Sequence, residues 1–242
     1  MQSIDQHYMI DIPLLVHITG IADLHKNDLV LEIGSGTGYL TRYLQKIAKK
    51  LFVIEKDPQL LKELKEKFSN AKNITYIEGD ATQLELPEFT KCVSNLPYTI
   101  CEPLMWRFTR EKFEMLVFVV PLSFAENLTG KNPSRLKLLC DAFYNVEIIQ
   151  KISPESFYPK PKTESALIKI TPNEGNFFLR EFLIQYDKKT KNALREILMK
   201  SGMTKTESQE HIALRLKPLI QDKNIVNLSL EEIKEIVKLF AK

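Results

Sequence analysis

The sequence predicts an α/β fold, with a mostly parallel sheet in a first domain and a small all-helical domain after it. Short apolar runs of strand length alternate with amphipathic runs of helix length, which is typical of parallel strands joined by crossover helices. Beyond residue 176 only the helical period remains. Of the 242 residues, 44% are hydrophobic and 27% are charged, which provides enough apolar material for a large core. We therefore expect one domain over residues 1–173 and a second over residues 174–242.

In chain order, the first domain is predicted to begin with a helix and then to alternate strands with helices. The predicted strands are Leu29–Ile33, Leu51–Ile54, Ile74–Glu78, Cys92–Ser94 and Met115–Val120. The predicted helices are Pro13–Leu24, Tyr39–Ala48, Pro58–Phe68, Cys101–Phe108, Leu122–Leu128 and Arg135–Phe143. Because Asp57 precedes a proline at a helix start, we expect its side chain to cap that helix.

Two further strands are predicted at the end of the sheet, at Val146–Ile152 and Ala166–Ile170, and they should run antiparallel to each other. The connection between them contains Pro154, Pro159 and Pro161 and has no room for a helix. A parallel crossover needs a dozen or more residues and usually a helix, so these strands are predicted to form an antiparallel pair.

The last part of the chain is predicted to be helical and basic. A linker at Thr171–Asn176 leads to helices at Asp187–Lys200, Gln209–Ile220 and Ser229–Phe240, and Ser229 with Glu232 forms a capping box. Residues 176–242 contain 13 basic and 9 acidic side chains, whereas residues 1–175 contain 21 and 22. Either an anionic partner contacts this part or the charges form an ordinary solvated helix face.

Several functional classes are disfavoured by composition. No apolar run approaches the roughly 20 residues that span a bilayer, and Met1–Ile12 lacks the basic and apolar regions of a secretory signal, so we expect a cytoplasmic protein. The three cysteines, Cys92, Cys101 and Cys140, lack the spacing of a zinc or redox pair and are expected to be reduced and buried. The four histidines lack metal-ligand spacing, so no metal is expected.

A glycine-rich turn follows the first predicted strand. The segment Glu32–Gly38 places Gly34, Gly36 and Gly38 before a helix, where glycines permit a tight turn and close approach of a ligand to the backbone. The third glycine comes one residue earlier than in the dinucleotide-binding fingerprint. The turn therefore fits a nucleoside without a pyrophosphate, although it could also be a simple tight connection.

Two acidic residues follow the next two predicted strands. Glu55 lies about twenty residues beyond the glycines, where a carboxylate can accept hydrogen bonds from ribose hydroxyls. Asp80 could accept from an adenine amine, or it could be a turn aspartate. Since the carboxyl ends of parallel strands share one edge, these residues and the glycine turn together predict a pocket for S-adenosylmethionine.

The segment Asn95-Leu96-Pro97-Tyr98 follows the fourth strand and predicts chemistry on a base amine. The lone pair of such an amine is delocalised into the ring. Acceptance of its hydrogens by the Asn95 side chain and the Leu96 carbonyl would turn the lone pair towards a methyl donor. Pro97 fixes the turn and removes a competing donor. Tyr98 can stack on a flipped-out base; the alternative is a plain Asn-Pro turn with Tyr98 in the core.

These motifs together resemble those of the ribosomal RNA adenine dimethyltransferase family. The resemblance rests on Asp5-Gln6-His7-Tyr8-Met9, Glu32–Gly38, Glu55, Asp80, Asn95–Tyr98 and Phe157-Tyr158-Pro159-Lys160-Pro161-Lys162-Thr163-Glu164-Ser165. It implies a Rossmann-like class I S-adenosylmethionine-dependent methyltransferase fold, with an antiparallel last strand and a helical C-terminal domain that contacts RNA. It also implies action on adenine amines in rRNA by a monomer that needs no metal and no membrane.

The resemblance assigns roles to individual residues. The residues expected to bind the cofactor are Gln6, His7, Met9, Glu32, Gly34, Gly36, Gly38, Glu55, Lys56, Asp80, Ala81 and Asn95. Asn95 to Tyr98 would form the catalytic segment. The residues expected to bind RNA are Tyr98 and Phe157 beside the target base, and Lys188, Lys189, Lys191 and Arg195 in the C-terminal domain.

The resemblance favours small-subunit rRNA as the substrate. The universal member of the family dimethylates two adjacent adenosines near the 3′ end of that RNA, and Asp187–Arg195 resembles the start of its C-terminal domain; the opening segment is more similar to archaeal members. Two alternatives remain: large-subunit rRNA methylation of the macrolide-resistance type, and a mainly non-catalytic role in ribosome assembly. Departures from the family at Pro121–Asn127 and Thr163 bear on RNA contacts and substrate breadth.

Overall fold

A seven-stranded sheet forms the centre of the larger of two units in the computed structural model, which describes residues 7–130, 134–173 and 175–241. This first unit contains the described residues up to Gly130 together with Asn145–Pro172. The strands are β1 Tyr8–Met9, β2 Leu29–Ile33, β3 Lys50–Glu55, β4 Ile74–Glu78, β5 Lys91–Asn95, β6 Met115–Pro121, β7 Tyr144–Ile152, β8 Phe157–Tyr158 and β9 Ser165–Pro172.

The sheet has the order β4-β3-β2-β5-β6-β9-β7. The pairs from β4 to β6 are parallel, and β9 runs antiparallel to β6. The predicted α/β class and the antiparallel closing strand are therefore confirmed. The two strands predicted to close the sheet are neighbours in it, and each is longer than predicted. A separate two-stranded sheet, β1 with β8, was not predicted.

Eleven α-helices lie in the described part of the chain. They are α1 Ile12–Ile21, α2 Thr41–Ile47, α3 Pro58–Lys67, α4 Cys101–Phe108, α5 Leu122–Thr129, α6 Arg135–Phe143, α7 Phe177–Leu183, α8 Thr190–Lys200, α9 Lys205–Arg215, α10 Pro218–Gln221 and α11 Leu230–Phe240. Asp57 caps α3 as predicted, since its Oδ1 accepts from the backbone N of Gln59 at 2.8 Å.

The amino edge of the sheet is closed by a buried ion pair. Lys91 Nζ lies 3.1 Å from Asp28 Oδ2, and the two side chains are 7% and 9% exposed. Lys91 also donates to the Asp23 carbonyl at 2.5 Å, and the Thr90 hydroxyl donates to Asp28 Oδ1 at 3.2 Å. The buried charges are thus paired and hydrogen-bonded, as buried charges must be.

The second unit contains the rest of the described chain and is helical. It includes α6, which the predicted boundary at residues 173 and 174 assigns to the first domain. Helix α6 packs against α7, and α7 comes after that boundary in the sequence. This contact explains why α6 belongs to the second unit. Asn176 caps α7, its Oδ1 accepting from the backbone N of Leu179 at 3.0 Å.

The helices of the second unit differ in extent from those predicted. Helix α7 was not predicted, because its seven residues are too few and too apolar to show a helical period. The first predicted helix of the region starts later, at Thr190, because Lys189 forms a β-bridge with Asn224. The second is interrupted before Pro218, since a residue preceding proline disfavours the helical conformation. The capping box at Ser229 is confirmed.

Candidate active site

Four parallel strands end beside one another at one edge of the sheet, and a polar residue stands at or near each end. Asp80 follows β4, Glu55 ends β3, the glycine turn follows β2, and Asn95 ends β5. Ligands of open α/β sheets bind at this carboxyl edge. The structure therefore brings together the residues that the sequence analysis placed at separate strand ends.

The turn after β2 needs glycine for two reasons. Its backbone is in the left-handed region, with φ of +69° at Gly34, +54° at Gly36 and +80° at Gly38. Neighbouring rings also occupy the space of a side chain: a Cβ on Gly34 would lie 2.9 Å from Pro97 Cδ, and one on Gly36 would lie 2.7 Å from the Tyr8 ring. The turn is thus packed directly against the segment that contains Asn95.

Glu55 holds this turn in place. Its buried carboxylate accepts from the backbone N of Gly36 through Oε2 at 2.9 Å. Its Oε1 accepts from the backbone N of Lys56 at 2.9 Å and of Asp57 at 3.1 Å. A carboxylate oxygen has two lone pairs, so Oε1 is filled and Oε2 retains one position for a ligand hydroxyl.

Asp80 forms the far side of a cleft beside Glu55. Hydrogen bonds from the hydroxyl and backbone amide of Thr82, together with Lys56, hold the pKa of Asp80 at about 2, so its carboxylate is ionised. Lys56 Nζ lies 3.1 Å from Asp80 Oδ2. The cleft, about 530 Å³ in volume, is also lined by Ala81, Pro97 and the glycine turn. It has the apolar walls and few polar groups of a nucleoside site.

The two polar atoms of the Asn95 side chain differ: the amide nitrogen is hydrogen-bonded to another described residue and the amide oxygen is not. Its Nδ2 donates to the His7 carbonyl at 2.9 Å, which fixes the amide orientation. Among the described residues no donor contacts its Oδ1. Asn95 lines a cavity that adjoins the cleft through Gly34, Glu55 and Pro97. The amide therefore presents an acceptor, the type of atom that the proposed amine chemistry requires.

Tyr98 lines the same cavity, and both its hydroxyl and its ring contact other residues. Its hydroxyl lies 2.6 Å from the Oγ of the fully buried Ser165, and its ring centroid lies 5.7 Å from that of His7. The ring is half-buried and lies at the cavity wall. Leu96, which precedes the proline, has a buried side chain and donates its backbone N to Val119 at 3.1 Å.

The segment before α1 forms one wall of the cavity, beside the carboxyl ends of the strands. Strand β1 pairs with β8, with Tyr8 opposite Tyr158 and Met9 opposite Phe157. His7 Nδ1 lies 2.8 Å from the Pro159 carbonyl, and His7, Tyr8 and Met9 all line the cavity. Gln6, which was predicted to bind the cofactor, lies outside the described residues.

Phe157 has a different environment from the one predicted for it. Its side chain is only 3% exposed and packs in the hydrophobic core with Met9 and Ile152. It is absent from the described lining of the cavity. In this structure Phe157 anchors β8 beneath β1, and the exposed ring of that strand is Tyr158.

Two observations indicate that the cavity fits S-adenosylmethionine. The Oγ of Ser35 and the Oγ1 of Thr37 lie buried in the glycine turn, and neither has a hydrogen-bond partner within the described chain. Buried hydroxyls are normally paired, so these two are positioned for polar groups of a ligand. The cleft beside Glu55 and Asp80 also reaches this turn, since Gly34 lines both the cleft and the cavity. The turn and its hydroxyls would hold the methionine part, and the cleft at Glu55 and Asp80 the nucleoside.

Glu32 is part of the lining of this cavity. It is 2% exposed, and its Oε2 accepts from the Thr41 hydroxyl at 2.7 Å. Burial raises the pKa of Glu32 to about 8, the Thr41 hydrogen bond opposes this rise, and the negative charge of Glu55 adds to it. At neutral pH the side chain is therefore mostly protonated.

The basic residues of the second unit that were predicted to bind RNA are partly neutralised. Lys188 Nζ lies 2.7 Å from Glu196, and Asp222 lies 3.5 Å from Lys189 and 2.7 Å from Lys191. The guanidinium of Arg195 makes no hydrogen bond or ion pair with another described residue. Three of the four predicted contacts thus already have carboxylate partners.

Sequence reasoning missed residues that act through long-range contacts. Tyr8 was not singled out, yet its ring covers Gly36, and burial followed by the charge of Glu55 raises its pKa. Ser94 was also missed: its Oγ accepts from the backbone N of Ile33 at 2.9 Å and so joins β2 to β5 just below the glycine turn. The serine beside Asn95 at the end of an otherwise apolar strand was the available signal.

Other observations concern metals, membranes and thiols. Within the described ranges, no group of three His, Cys, Asp or Glu side chains could hold a metal ion. No helix in that part of the chain is both long and apolar enough for a bilayer. The three cysteines are free and buried, as predicted.

Comparison with known proteins identifies the family. The family model described as ribosomal RNA adenine dimethylase matches residues 2–242. The chain belongs to this family. The predicted resemblance is confirmed, and so are the predicted enzyme class of rRNA adenine dimethyltransferase and its cofactor, S-adenosylmethionine.

Relatives of this rRNA adenine dimethylase span nearly the whole chain. A protein of Pyrococcus abyssi named "Probable ribosomal RNA small subunit methyltransferase A" is 37% identical, over 96% of this chain and 89% of its own length. A dimethyladenosine transferase from Plasmodium falciparum is 26% identical, with a TM-score of 0.69 and 97% of both chains covered. The 23S rRNA methyltransferase ErmE shares the fold, with a TM-score of 0.66 at 21% identity, over 97% of this chain and 100% of its own.

Proposed function

We propose that this rRNA adenine dimethylase transfers methyl groups from S-adenosylmethionine to the N6 amines of adenosines in small-subunit rRNA. The orientation of the Asn95 amide carries the chemical part of the proposal, because it leaves an acceptor for a base amine at the cavity. The names of the archaeal relatives, which specify the small subunit, support the choice of RNA. Two adjacent adenosines of the 3′-terminal hairpin are the expected targets, within a pre-ribosomal particle in the cytoplasm, and the enzyme is expected to act as a monomer.

The residues around the cavity would bind and orient the two reactants. Asn95 Oδ1 and the Leu96 carbonyl accept the two hydrogens of the amine and draw its nitrogen towards a tetrahedral form. Tyr98, held by Ser165, stacks on the base after it leaves the RNA stack. When bound, S-adenosylmethionine supplies a methyl group on a sulfonium, a good leaving group. The methylated nitrogen then releases a proton to solvent, so no strong general base is needed.

The cofactor would be held by groups on three strand ends. Glu55 Oε2 accepts from a ribose hydroxyl with its remaining lone pair, and Asp80 accepts from the adenine amine. Ser35 and Thr37 donate from the glycine turn to the methionine part. His7, Tyr8 and Met9 would cover that part, and their position in the cavity lining supports this role.

The test is transfer of a labelled methyl group to small subunits, large subunits and naked rRNA, all from cells that lack the modification. Modified nucleosides are identified by mass spectrometry, and cofactor binding is measured beside them by calorimetry. We expect dimethyladenosine in small subunits only. Labelling of large subunits alone would replace the proposal with the macrolide-resistance type of activity. Cofactor binding without transfer to any of the three would indicate a non-catalytic assembly factor instead.

A further inference from the structure

A cluster of basic and aromatic side chains borders the cavity on the side of α2 and the end of α3. We call it the basic-aromatic patch, and it consists of Tyr39, Arg42, Tyr43, Lys46 and Lys67. Positions 39, 42 and 46 are three and four residues apart, so they follow one face of the turn and helix. Helix α2, Thr41–Ile47, contains no Asp or Glu.

Lys67 connects the patch to the glycine turn. Its Nζ donates to the Thr37 carbonyl at 2.6 Å and lies 5.4 Å from the centroid of the Tyr39 ring. Burial lowers the pKa of Lys67, and the positive charge of Arg42 lowers it further. Lys46 lies over the Tyr43 ring at 6.0 Å.

The three cations of the patch lack acidic partners. No carboxylate of the described residues lies within 4.0 Å of Arg42, Lys46 or Lys67. Glu63, which lies one helical turn before Lys67 on α3, accepts instead from Gln59 at 3.3 Å. Neighbouring like charges repel, and an anion that binds between them relieves the repulsion. This distinguishes the patch from the paired lysines of the second unit.

The patch is also continuous with the cavity that contains Asn95. Thr37 and Tyr39 both line that cavity, and Tyr39 is 41% exposed. A strand whose adenine enters the cavity must leave its flanking phosphates at the rim. Cations interleaved with aromatic rings are the usual combination for binding an unpaired RNA strand.

We propose that the basic-aromatic patch binds the phosphates of the RNA strand that flanks the target adenosine. This inference rests on the proposed function and adds a substrate-binding surface to it, in the same unit as the cavity. Arg42 and Lys46 contact phosphates, Lys67 bridges the glycine turn to the strand, and the exposed Tyr39 ring offers a stacking surface beside the flipped base.

The test is the salt dependence of RNA binding in the variant Arg42→Gln/Lys46→Gln. A matched control is Lys26→Gln/Lys112→Gln, which removes two exposed charges just before strands β2 and β6, at the opposite edge of the sheet. Each lost phosphate contact lowers the slope of log affinity against log salt by about 0.7–0.9. Between about 50 and 200 mM salt, the patch variant should therefore lose roughly tenfold less affinity for unmodified small subunits than wild type does.

The patch variant should also raise the KM for small subunits, while kcat at saturation and the Kd for S-adenosylmethionine stay at wild-type values. A slope and KM equal to those of the control variant would overturn the inference, even with wild-type transfer to adenosine intact. Absence of transfer by the wild type would instead overturn the proposed function. Equal competition by polyglutamate and by polyuridylate would show a site that binds any polyanion and would also contradict the assignment to RNA.

Discussion

The two edges of the central sheet use polar residues in opposite ways. At the amino edge, Lys91, Asp28 and Thr90 satisfy one another, and the ion pair is buried. At the carboxyl edge, Asn95 Oδ1 and the Ser35 and Thr37 hydroxyls are left without partners in the described chain. The same strands contribute to both edges. A closed polar network stabilises the fold, whereas an open one is available to a ligand, and the completeness of hydrogen bonding distinguishes them.

The largest effect is expected from breaking the closed network. Lys91→Met removes one partner of a buried ion pair and leaves Asp28 uncompensated, which should lower the free energy of unfolding by about 3–5 kcal/mol. Denaturant unfolding measures this change, and methyl transfer per folded molecule should not change. The double variant Asp28→Asn/Lys91→Met buries no charge and should recover much of the loss. A stable single variant would mean that water reaches Asp28.

The next largest effect is expected at the open edge. Asn95→Ala removes a preorganised acceptor and should lower kcat by about 10²–10³-fold. The unfolding midpoint should stay close to wild type, because only the hydrogen bond from Asn95 to the His7 carbonyl is lost, and the Kd for S-adenosylmethionine should rise far less than kcat falls. Single-turnover transfer to small subunits measures the chemical step. A wild-type single-turnover rate in Asn95→Ala would contradict the proposal that Asn95 orients the amine.

A smaller effect is expected from the residue that holds the glycine turn. Glu55→Gln keeps the shape but places an amide where a carboxylate now accepts three backbone N–H groups. Hydrogen bonds to charged groups contribute about 1.5–3 kcal/mol, so the Kd for S-adenosylmethionine should rise by about ten- to a hundredfold. Calorimetry checks this, with Glu63→Gln as an exposed control on α3. Equal affinity of the two variants would exclude Glu55 from cofactor binding.

The most gradual effect, and the smallest over any single pH unit, is a pH dependence of stability from Glu32. Its pKa is raised by burial to about 8, so the folded state retains a proton that the unfolded state releases above its ordinary value of 4.5. Stability should therefore fall as pH rises from 4.5 to 8, by at most about 1.4 kcal/mol per pH unit. Glu32→Gln should flatten this contribution in urea unfolding at several pH values. An unchanged slope would place the titration elsewhere.

The sheet was predictable because its signals are local. Strands Leu29–Ile33 and Ile74–Glu78 have the predicted bounds, and β9 runs antiparallel to β6, as the predicted fold class requires. The candidate site followed from the same information, since parallel strands bring their carboxyl ends to one edge. Its residue roles remain predictions to be tested.

What the sequence did not reveal depends on contacts between distant residues. The pairing of β1 with β8 joins residues about 150 positions apart, and no local pattern marks a two-residue strand. The carboxylate partners of the lysines near residue 190 come in part from Asp222, which only the folded second unit brings near. Helix α7 was not predicted because it has only seven residues, five of them apolar, which is too short a segment to show a helical period.

The hydrogen bond between Asn95 and the His7 carbonyl has a consequence for the order of synthesis. His7 is held by Pro159, and the strand that follows it pairs with Phe157 and Tyr158, so the amide is aligned only once these late residues have left the ribosome. A nascent chain of about 150 residues already contains the glycine turn and Asn95 but has nothing to fix the segment above them. The active site can therefore be complete only late in translation, after the strands that bind the cofactor have been made.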